Sequence, residues 1–588
     1  MDAKSADRNR RGFRLPSLTG PVFAKELRVS ARRRRSFALR LGYLLLLTVF
    51  VGLVWLGSFR TAVAGGSLAA RASRMSEAGK LIIVTIVWFQ FCTTQVIAVV
   101  LLSTAIGGEL SRRTLGVLMS TPIRSFQIVM GKLLSGLWQL LVLIASSLPL
   151  LLLVRVFGGV PWDFVLSGLA ITLASMLFVA SVSLLFSIGS GRAHVAMLRT
   201  VIVVGLLYGL LPWGAWGLIG QMRLLPAADV TSAVMQVNPP GALAAATGRV
   251  IAPGWAGALS VSWPLHCAMV LGASAAVLAV CVVRVRRAAL RQASGEAGRP
   301  GRRRRAAGGR GRVRRVVGPP VLWRELRAPM FPSRLRGLIV VAVMALILGA
   351  TYAAGARHKV LADPDTHVTY VLIFTSLGVL GTAVMSATGI AVEREARCWP
   401  LLMATALSDT QVLLGKAAGA LRRALPFWGL LAGHLALFTL TGFLHPLAWL
   451  HLGLLVGAVM ALLTGTGLYF SARLGRPAAA AVANVALAIA VWVVLPVLGF
   501  LSVAVSGGDR ETANALISAN PVAQAVVVVE PAVGAKAAHA GELRYHWLWG
   551  SAGAGRTTWL MLASLGGHGL VGLMFAWRAE RWFRKRMF

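Results

Sequence analysis

Twelve stretches of about 20 mostly apolar residues recur along this chain. No water-soluble core could absorb that many. A hydrocarbon layer about 30 Å thick is crossed by about 20 helical residues rising about 1.5 Å each. In the first half the stretches fall near 41–59, 81–106, 133–154, 164–188, 201–219 and 263–283. In the second half they fall near 337–354, 368–392, 424–443, 447–470, 479–503 and 558–577. The expected fold class is an all-α polytopic membrane protein, with about 12 transmembrane helices in two parallel six-helix repeats. Only 13% of the 588 residues are charged, against about a quarter in soluble domains.

The formal net charge of +41 would suggest nucleic acid in a soluble protein. Here the basic runs, 32–35 and 302–305, sit beside apolar stretches. That placement fits the excess of Lys and Arg on cytoplasmic segments and contact with anionic membrane lipid, and no nucleic-acid partner is expected. With an even number of spans per half, the start, the basic linker and the end at Arg581, Arg584, Lys585 and Arg586 lie on one side. The positive-inside rule makes that side cytoplasmic. The connections on the other side carry fewer basic residues and about half of the acids, including Asp363, Asp365, Asp509 and Glu511.

The expected divisions are a cytoplasmic tail 1–20, a first unit 21–286, a basic Gly- and Ala-rich linker 287–318 and a second unit 319–588. The apolar stretch after the tail is too long for a signal peptide and has no cleavage site. Cys92, Cys267, Cys281 and Cys398 lack ligand spacing and read as packing residues.

The two halves repeat each other. Residues 21–28, PVFAKELR, align with 320–327, PVLWRELR. Residues 109–132 align without a gap with 393–416, matching Leu118-Met119 to Leu402-Met403, Thr121 to Thr405 and Gly131-Lys132 to Gly415-Lys416. The same register pairs Ser187 with Ser471, Arg192 with Arg476, and Leu211-Pro212 with Leu495-Pro496. Asn238-Pro239 and Asn520-Pro521 correspond nearly in step. Even span numbers make the repeats parallel.

Two repeated segments could carry function. Before each first span, Phe23 and Leu27, and likewise Leu322 and Leu326, are four apart. Lys25, Glu26, Arg28, Arg324, Glu325 and Arg327 supply a polar side. That pattern describes a short amphipathic helix at the membrane interface. After each second span, Leu115, Leu118 and Met119, and Trp399, Leu402 and Met403, are spaced i, i+3, i+4. Glu109 and Glu393 precede them, where a helix dipole favours a carboxylate. Such a helix either docks a partner or lies on the bilayer.

The run 109–122, ELSRRTLGVLMSTP, followed by Gly131-Lys132, resembles the second-span loop of ABC transporter permeases of the type-2 exporter class. The amphipathic start and the Asn-Pro segments are also similar to that family. The resemblance covers nearly the whole chain, as two permease units fused in one. It implies that each loop is a coupling helix fitting a cleft on a separate ATP-binding ABC subunit, which binds the ATP and Mg. The coupling role then falls to Glu109, Arg112, Thr114, Leu115 and Leu118, and to Glu393, Arg397 and Leu402. The second half departs from the pattern with Cys398 for Thr114 and Ala406 for Pro122. The resemblance also implies a bacterial inner membrane location with both termini cytoplasmic, possible further membrane or periplasmic subunits, and segments after the fifth spans that gate the exit. No cofactor, metal or catalytic residue is expected in this chain.

Other readings are weaker. Residues 550–557, GSAGAGRT, nearly spell a phosphate loop but have Arg where Lys belongs. Ion-coupled transporters of the major facilitator type usually carry ionisable groups within the membrane, and the span cores here have no Asp, Glu, Lys or Arg. Gln90, Gln95, Gln139, Asn484, His266, His434, His451 and His568 read as interhelical hydrogen-bonding residues. A membrane-embedded enzyme would need clustered His or acids, and the ten histidines are scattered. The weakly polar span interiors suggest an amphipathic or lipid-like cargo.

Overall fold

The structure is a computed structural model. It describes residues 20–31, 34–63, 67–111, 114–115, 123–158, 160–190, 193–212, 226–252, 254, 259–294, 315–328, 334–357, 359–396, 398–506, 514–515, 517–534 and 543–583. In lipid every backbone N–H and C=O must bond within its own segment, and the chain answers with helices. The first half holds α1 (Gly20–Ala31), α2 (Arg34–Val63), α3 (Leu68–Ser103), α4 (Gly107–Ser111), α5 (Ser125–Gly158), α6 (Trp162–Ser190), α7 (Ala193–Gly205), α8 (Ala227–Val237), α9 (Pro239–Ile251) and α10 (Trp263–Ala293). The second holds α11 (Pro320–Arg327), α12 (Arg334–Arg357), α13 (Pro364–Thr388), α14 (Ala391–Glu395), α15 (Trp399–Met403), α16 (Asp409–Leu440), α17 (Leu447–Leu474), α18 (Pro477–Ile489), α19 (Leu495–Ser506), α20 (Pro521–Val529) and α21 (Ala554–Phe583).

Among the described residues, ten helices are long and apolar enough to cross a membrane, and Arg40–Leu56, Val195–Gly209 and Pro521–Ala532 are shorter apolar helices. The all-α polytopic fold class therefore stands. Arg40–Leu56 and Val195–Gly209 occupy the places expected for the first and fifth spans of the first half. Among the described residues, the strands are a hairpin of β1 (Arg544–Trp547) and β2 (Gly550–Gly553), paired antiparallel, and a single antiparallel bridge joins Leu444 to Val533. The hairpin takes in the start of the near-phosphate-loop run. The helix that follows, α21, is a span, and Arg556 lies 4.7 Å from the Trp549 ring.

Local chemistry sets the helix ends. Asp363 caps α13, accepting from Asp365 N, with Pro364 in the first turn. Gly475 ends α17 in the left-handed region at φ 63°, and Pro477 opens α18.

The chain divides into two compact units. One comprises residues 1–49, 83–200 and 264–311, the other 50–82, 201–263 and 312–588. In the first unit, Gln90 Nε2 donates to Ser147 Oγ at 2.5 Å and Tyr43 Oη donates to the same atom at 3.2 Å. In the second unit, Asn484 Nδ2 donates to the carbonyls of Ala383 (2.9 Å) and Leu463 (3.0 Å), while its Oδ1 accepts from Thr466 (2.7 Å). Tyr352, His434 and His367 form a hydrogen-bonded row, and His451 meets Thr558. These side chains join different helices, as the polar residues of the spans were expected to do. Gln139 instead reaches back to Ser135 O of its own helix, at 3.5 Å. α17 and α21 approach most closely at Gly465 and Gly572, where an added methyl on either would overlap backbone of the other helix.

The fifth spans share a feature. Residues Leu206–Leu210 continue α7 as a π-turn, and Ala490–Val494 continue α18 the same way. The two turns are offset by 284 positions, the offset that relates Glu109 to Glu393 and Ser187 to Ser471. Asn238 Nδ2 donates to Tyr208 O at 3.1 Å, and Asn520 Nδ2 donates to Trp492 O.

Candidate coupling sites

In each half, a lysine on the third span gathers the carboxylates of the amphipathic helix and of the second-span loop. In the first half, Lys132 on α5 donates to Glu26 Oε1 of α1 at 2.5 Å and to Glu109 Oε1 of α4 at 3.2 Å. In the second, Lys416 on α16 donates to Glu325 Oε1 of α11 and to Glu393 Oε1 of α14, both at 2.6 Å. A lysine in this apolar setting is tolerated only when paired. The Gly-Lys match between halves thus has a physical meaning. Gly415 and Gly419 provide the seat for α11, since a methyl there would strike Val321 and Glu325, and Lys416 supplies the charge.

The short helices α4 and α14 are held by a second repeated device. Ser187 Oγ accepts from the backbone N of Ile106 (3.3 Å) and Gly107 (2.9 Å). Ser471 Oγ accepts from Ile390 N (3.1 Å) and Ala391 N (2.9 Å). One hydroxyl on the fourth span satisfies two of the orphan donors at a helix start. After each helix the chain doubles back, with Thr114 N donating to Glu109 O and Cys398 N to Glu393 O, each at 3.0 Å.

The halves differ at the carboxylates. The Thr114 hydroxyl donates to Glu109 Oε2. Cys398 offers no equivalent, and among the described residues no donor reaches Glu393 Oε2. The second half compensates with guanidinium groups. Arg324 pairs with Glu393 and Glu325, and Arg423 with Glu325 Oε2 at 2.7 Å. Arg422 donates to the carbonyls of Glu325 (3.0 Å) and Ala328 (2.9 Å). Burial alone would raise the Glu325 carboxyl. The adjacent Lys416 and Arg423 outweigh it and hold that group down at about 2. Arg324 is likewise burdened by burial, but Glu393 and Glu325 raise it above the usual arginine value. The Lys416 side chain is 3% exposed with partners at 8% and 15%. Lys132 is 9% exposed, but its partners are 31% and 28% exposed.

The structure places the residues singled out from sequence as follows. Glu26 and Glu325, expected on the polar side of the amphipathic helices, turn into the fold because a cation waits there. Val22 and Val321 are buried beside them, while Phe23, Leu27 and Leu322 are half-buried and Leu326 is exposed. Leu115 is fully buried. The second-half stripe also faces inward. The Trp399 ring lies 4.6 Å from Phe583 and 4.9 Å from the Arg394 guanidinium, and Leu402 and Met403 pack on the same core. The apolar side chain that points outward from this loop is Leu401, 74% exposed, next to exposed Pro400. Arg112, Leu118 and Arg397 lie outside the described residues. Lys132, Lys416, Ser187, Ser471 and Arg423 were not singled out as site residues. For the first four, the repeat register was the available signal, since a lysine repeated within an apolar helix demands carboxylates.

A family model described as ABC-2 family transporter protein matches residues 21–290. That match runs from the start of α1 nearly to the end of α10. No curated protein matches this chain. Over residues 21–290, then, the chain is similar to the ABC-2 family of transporter proteins.

Proposed function

We propose that this chain is the membrane permease of an ATP-driven exporter, with residues 319–588 serving as a second permease unit beside 21–286. Separate ATP-binding ABC subunits would dock against the loops after the second spans, and would hold the ATP and Mg. The observation that carries this reading is the twice-built ion cluster. It ties each loop to the third span and to the amphipathic helix, so displacement of the loop must move a span. Linking a surface loop to a transmembrane helix through a paired, largely buried lysine is what transmission of work requires. The basic start, linker and end support a cytoplasmic side for the ion clusters, and the membrane proposed is a bacterial inner membrane.

The exposed surface of the second loop, Glu395, Cys398, Pro400, Leu401 and Ala404–Ala406, is the proposed footprint of the partner. Glu109, Thr114, Glu393 and Leu402 act behind it by holding the loop in shape. The test is co-purification of the chain with an ATP-binding subunit from its own cell. Capture that survives in wild type and fails in Leu401→Arg supports the reading. Equal capture by both removes the footprint, and no capture of an ATPase removes the function.

A further inference from the structure

Glu393 and Arg394 are neighbours on α14, and they reach opposite ways. Glu393 turns to Lys416 of the third span and Arg324 of the amphipathic helix. Arg394 turns to the fourth and sixth spans. Its Nη1 donates to Ala472 O in the last turn of α17 at 2.5 Å, and its Nη2 donates to Phe583 O, the last residue of α21, at 3.4 Å. A guanidinium suits this place, since its fork of N–H groups serves two carbonyls at once. A cation beside the C-terminal end of α17 also meets the favourable end of the helix dipole. Packing reinforces the bonds. Phe583 is fully buried, and its ring lies 4.6 Å from that of Trp399 on α15. Glu580 accepts from the Thr410 hydroxyl at 2.6 Å, which joins the same end of α21 to the start of α16.

The first half makes the same connection with its polarity reversed. At the offset of 284 that relates the repeats, Arg394 matches Leu110 of α4. A leucine side chain has no donor, and here the bond comes from the span. Gln292 Nε2, in the last turn of α10, donates to Leu110 O at 3.3 Å. One repeat position is therefore bonded to the end of the sixth span in both halves, by a side chain of the loop in one and a side chain of the span in the other. Unlike residues that reach one connection mark the connection itself as the shared feature.

We infer that Arg394 and Gln292 are positioning residues that yoke the sixth spans, α21 and α10, to the loop helices α14 and α4, so that each loop drives two spans and not one. The glutamate of each loop holds the third span, and the next residue holds the sixth. In the second half the yoke carries α17 along, because α17 and α21 interlock at Gly465 and Gly572 and Ser471 of α17 holds the start of α14. The bonds are independent of the proposed export function, and the transmission of work through them rests on that reading.

Hydrogen exchange followed by mass spectrometry on the full chain in nanodiscs tests the bonds. Arg394→Met removes both donors at similar length and should speed exchange across 468–474 and 574–583 about tenfold, the loss of a charge-assisted bond. Arg394→Lys keeps a cation for the nearer carbonyl, Ala472 O, but lacks the fork. It should leave 468–474 as in wild type and speed 574–583 alone. Gln292→Met should speed 286–293 about fivefold, the loss of one uncharged bond. Wild-type rates at 574–583 and 286–293 in these variants overturn the yoke. In complex with an ATP-binding subunit, adding ATP should change exchange at both 409–416 and 574–583 in the wild type. In Arg394→Lys the change at 409–416 should persist and the change at 574–583 should be lost. An equal change at 574–583 in both proteins overturns the transmission. Failure of the wild-type complex to form, or no change at 409–416, counts against the export reading and removes the transmission with it, while exchange on the chain alone still decides the bonds.

Discussion

Replacing Lys416 with methionine leaves Glu325 and Glu393 facing each other across a space of the same size without their shared cation. The Lys416 ammonium lies 2.6 Å from both carboxylates and its side chain is 3% exposed. Removing one partner from a buried ion cluster costs about 3–5 kcal/mol. Arg324 and Arg423 remain to serve the two acids, so a loss near 3 kcal/mol is expected. Lys132→Met removes the corresponding cation from carboxylates about a third exposed. Water can reach those acids, and the loss should be nearer 1 kcal/mol. Unfolding in detergent, followed by tryptophan fluorescence on heating, should show Lys416→Met lowered by about 4 °C and Lys132→Met by less. Adding Glu325→Gln and Glu393→Gln to Lys416→Met should recover most of the loss, since the uncompensated charges disappear. An equal or larger loss for Lys132→Met, or no recovery in the triple variant, would refute the argument that burial of the cluster sets its energetic weight.

Acid should reveal Glu325 in a different way. Its carboxyl is held at about 2 against an ordinary 4.5, so the folded protein keeps it ionised where the unfolded chain has begun to protonate. That contribution is complete above about pH 5 and is lost as the pH falls from 4.5 to about 2, by up to about 3 kcal/mol. Unfolding temperatures measured across this window should fall less steeply in Glu325→Gln than in wild type. Gly465→Val should prevent a stable fold or cost several kcal/mol, because the obstacle is the Gly572 backbone and not a side chain that can swing away; expression and elution as a single folded species check this. Trp399→Ala should cost about 3 kcal/mol of stability, measured by the same heating assay, whereas Leu401→Arg should leave stability within about 0.5 kcal/mol and abolish partner capture.

Much of the fold was legible because lipid allows so few solutions. An apolar run of 20 residues in this setting is a helix, and ten such helices stand where runs were read. Their ends were less legible. α5 spans Ser125–Gly158, whereas the apolar run begins near 133, because its first turns include polar residues that still obey helix geometry. The hairpin at 544–553 was missed, since four-residue strands leave little period to read. For the candidate sites, the repeat pointed to the segments that the ion clusters join, and the apolar stripes read there face inward. Leu115, Trp399 and Leu402 have the right spacing for a helix face, and spacing alone does not tell whether that face meets a partner or the protein's own core. The charges told more than was taken from them. A glutamate in each amphipathic helix, a glutamate in each loop and a lysine in each third span are a balanced set only when they converge. The π-turns left no mark in hydropathy, although the paired Leu-Pro and Asn-Pro matches were already visible as separate motifs.

Thr114 and Cys398 occupy one position of the repeat, yet one completes its carboxylate's hydrogen bonding and the other does not. In an assembly of identical subunits such a difference is forbidden, because each substitution appears in every copy. Covalent fusion lifts that constraint and lets the two joints acquire different stiffness. A chain that carries both repeats can in this way make them unequal.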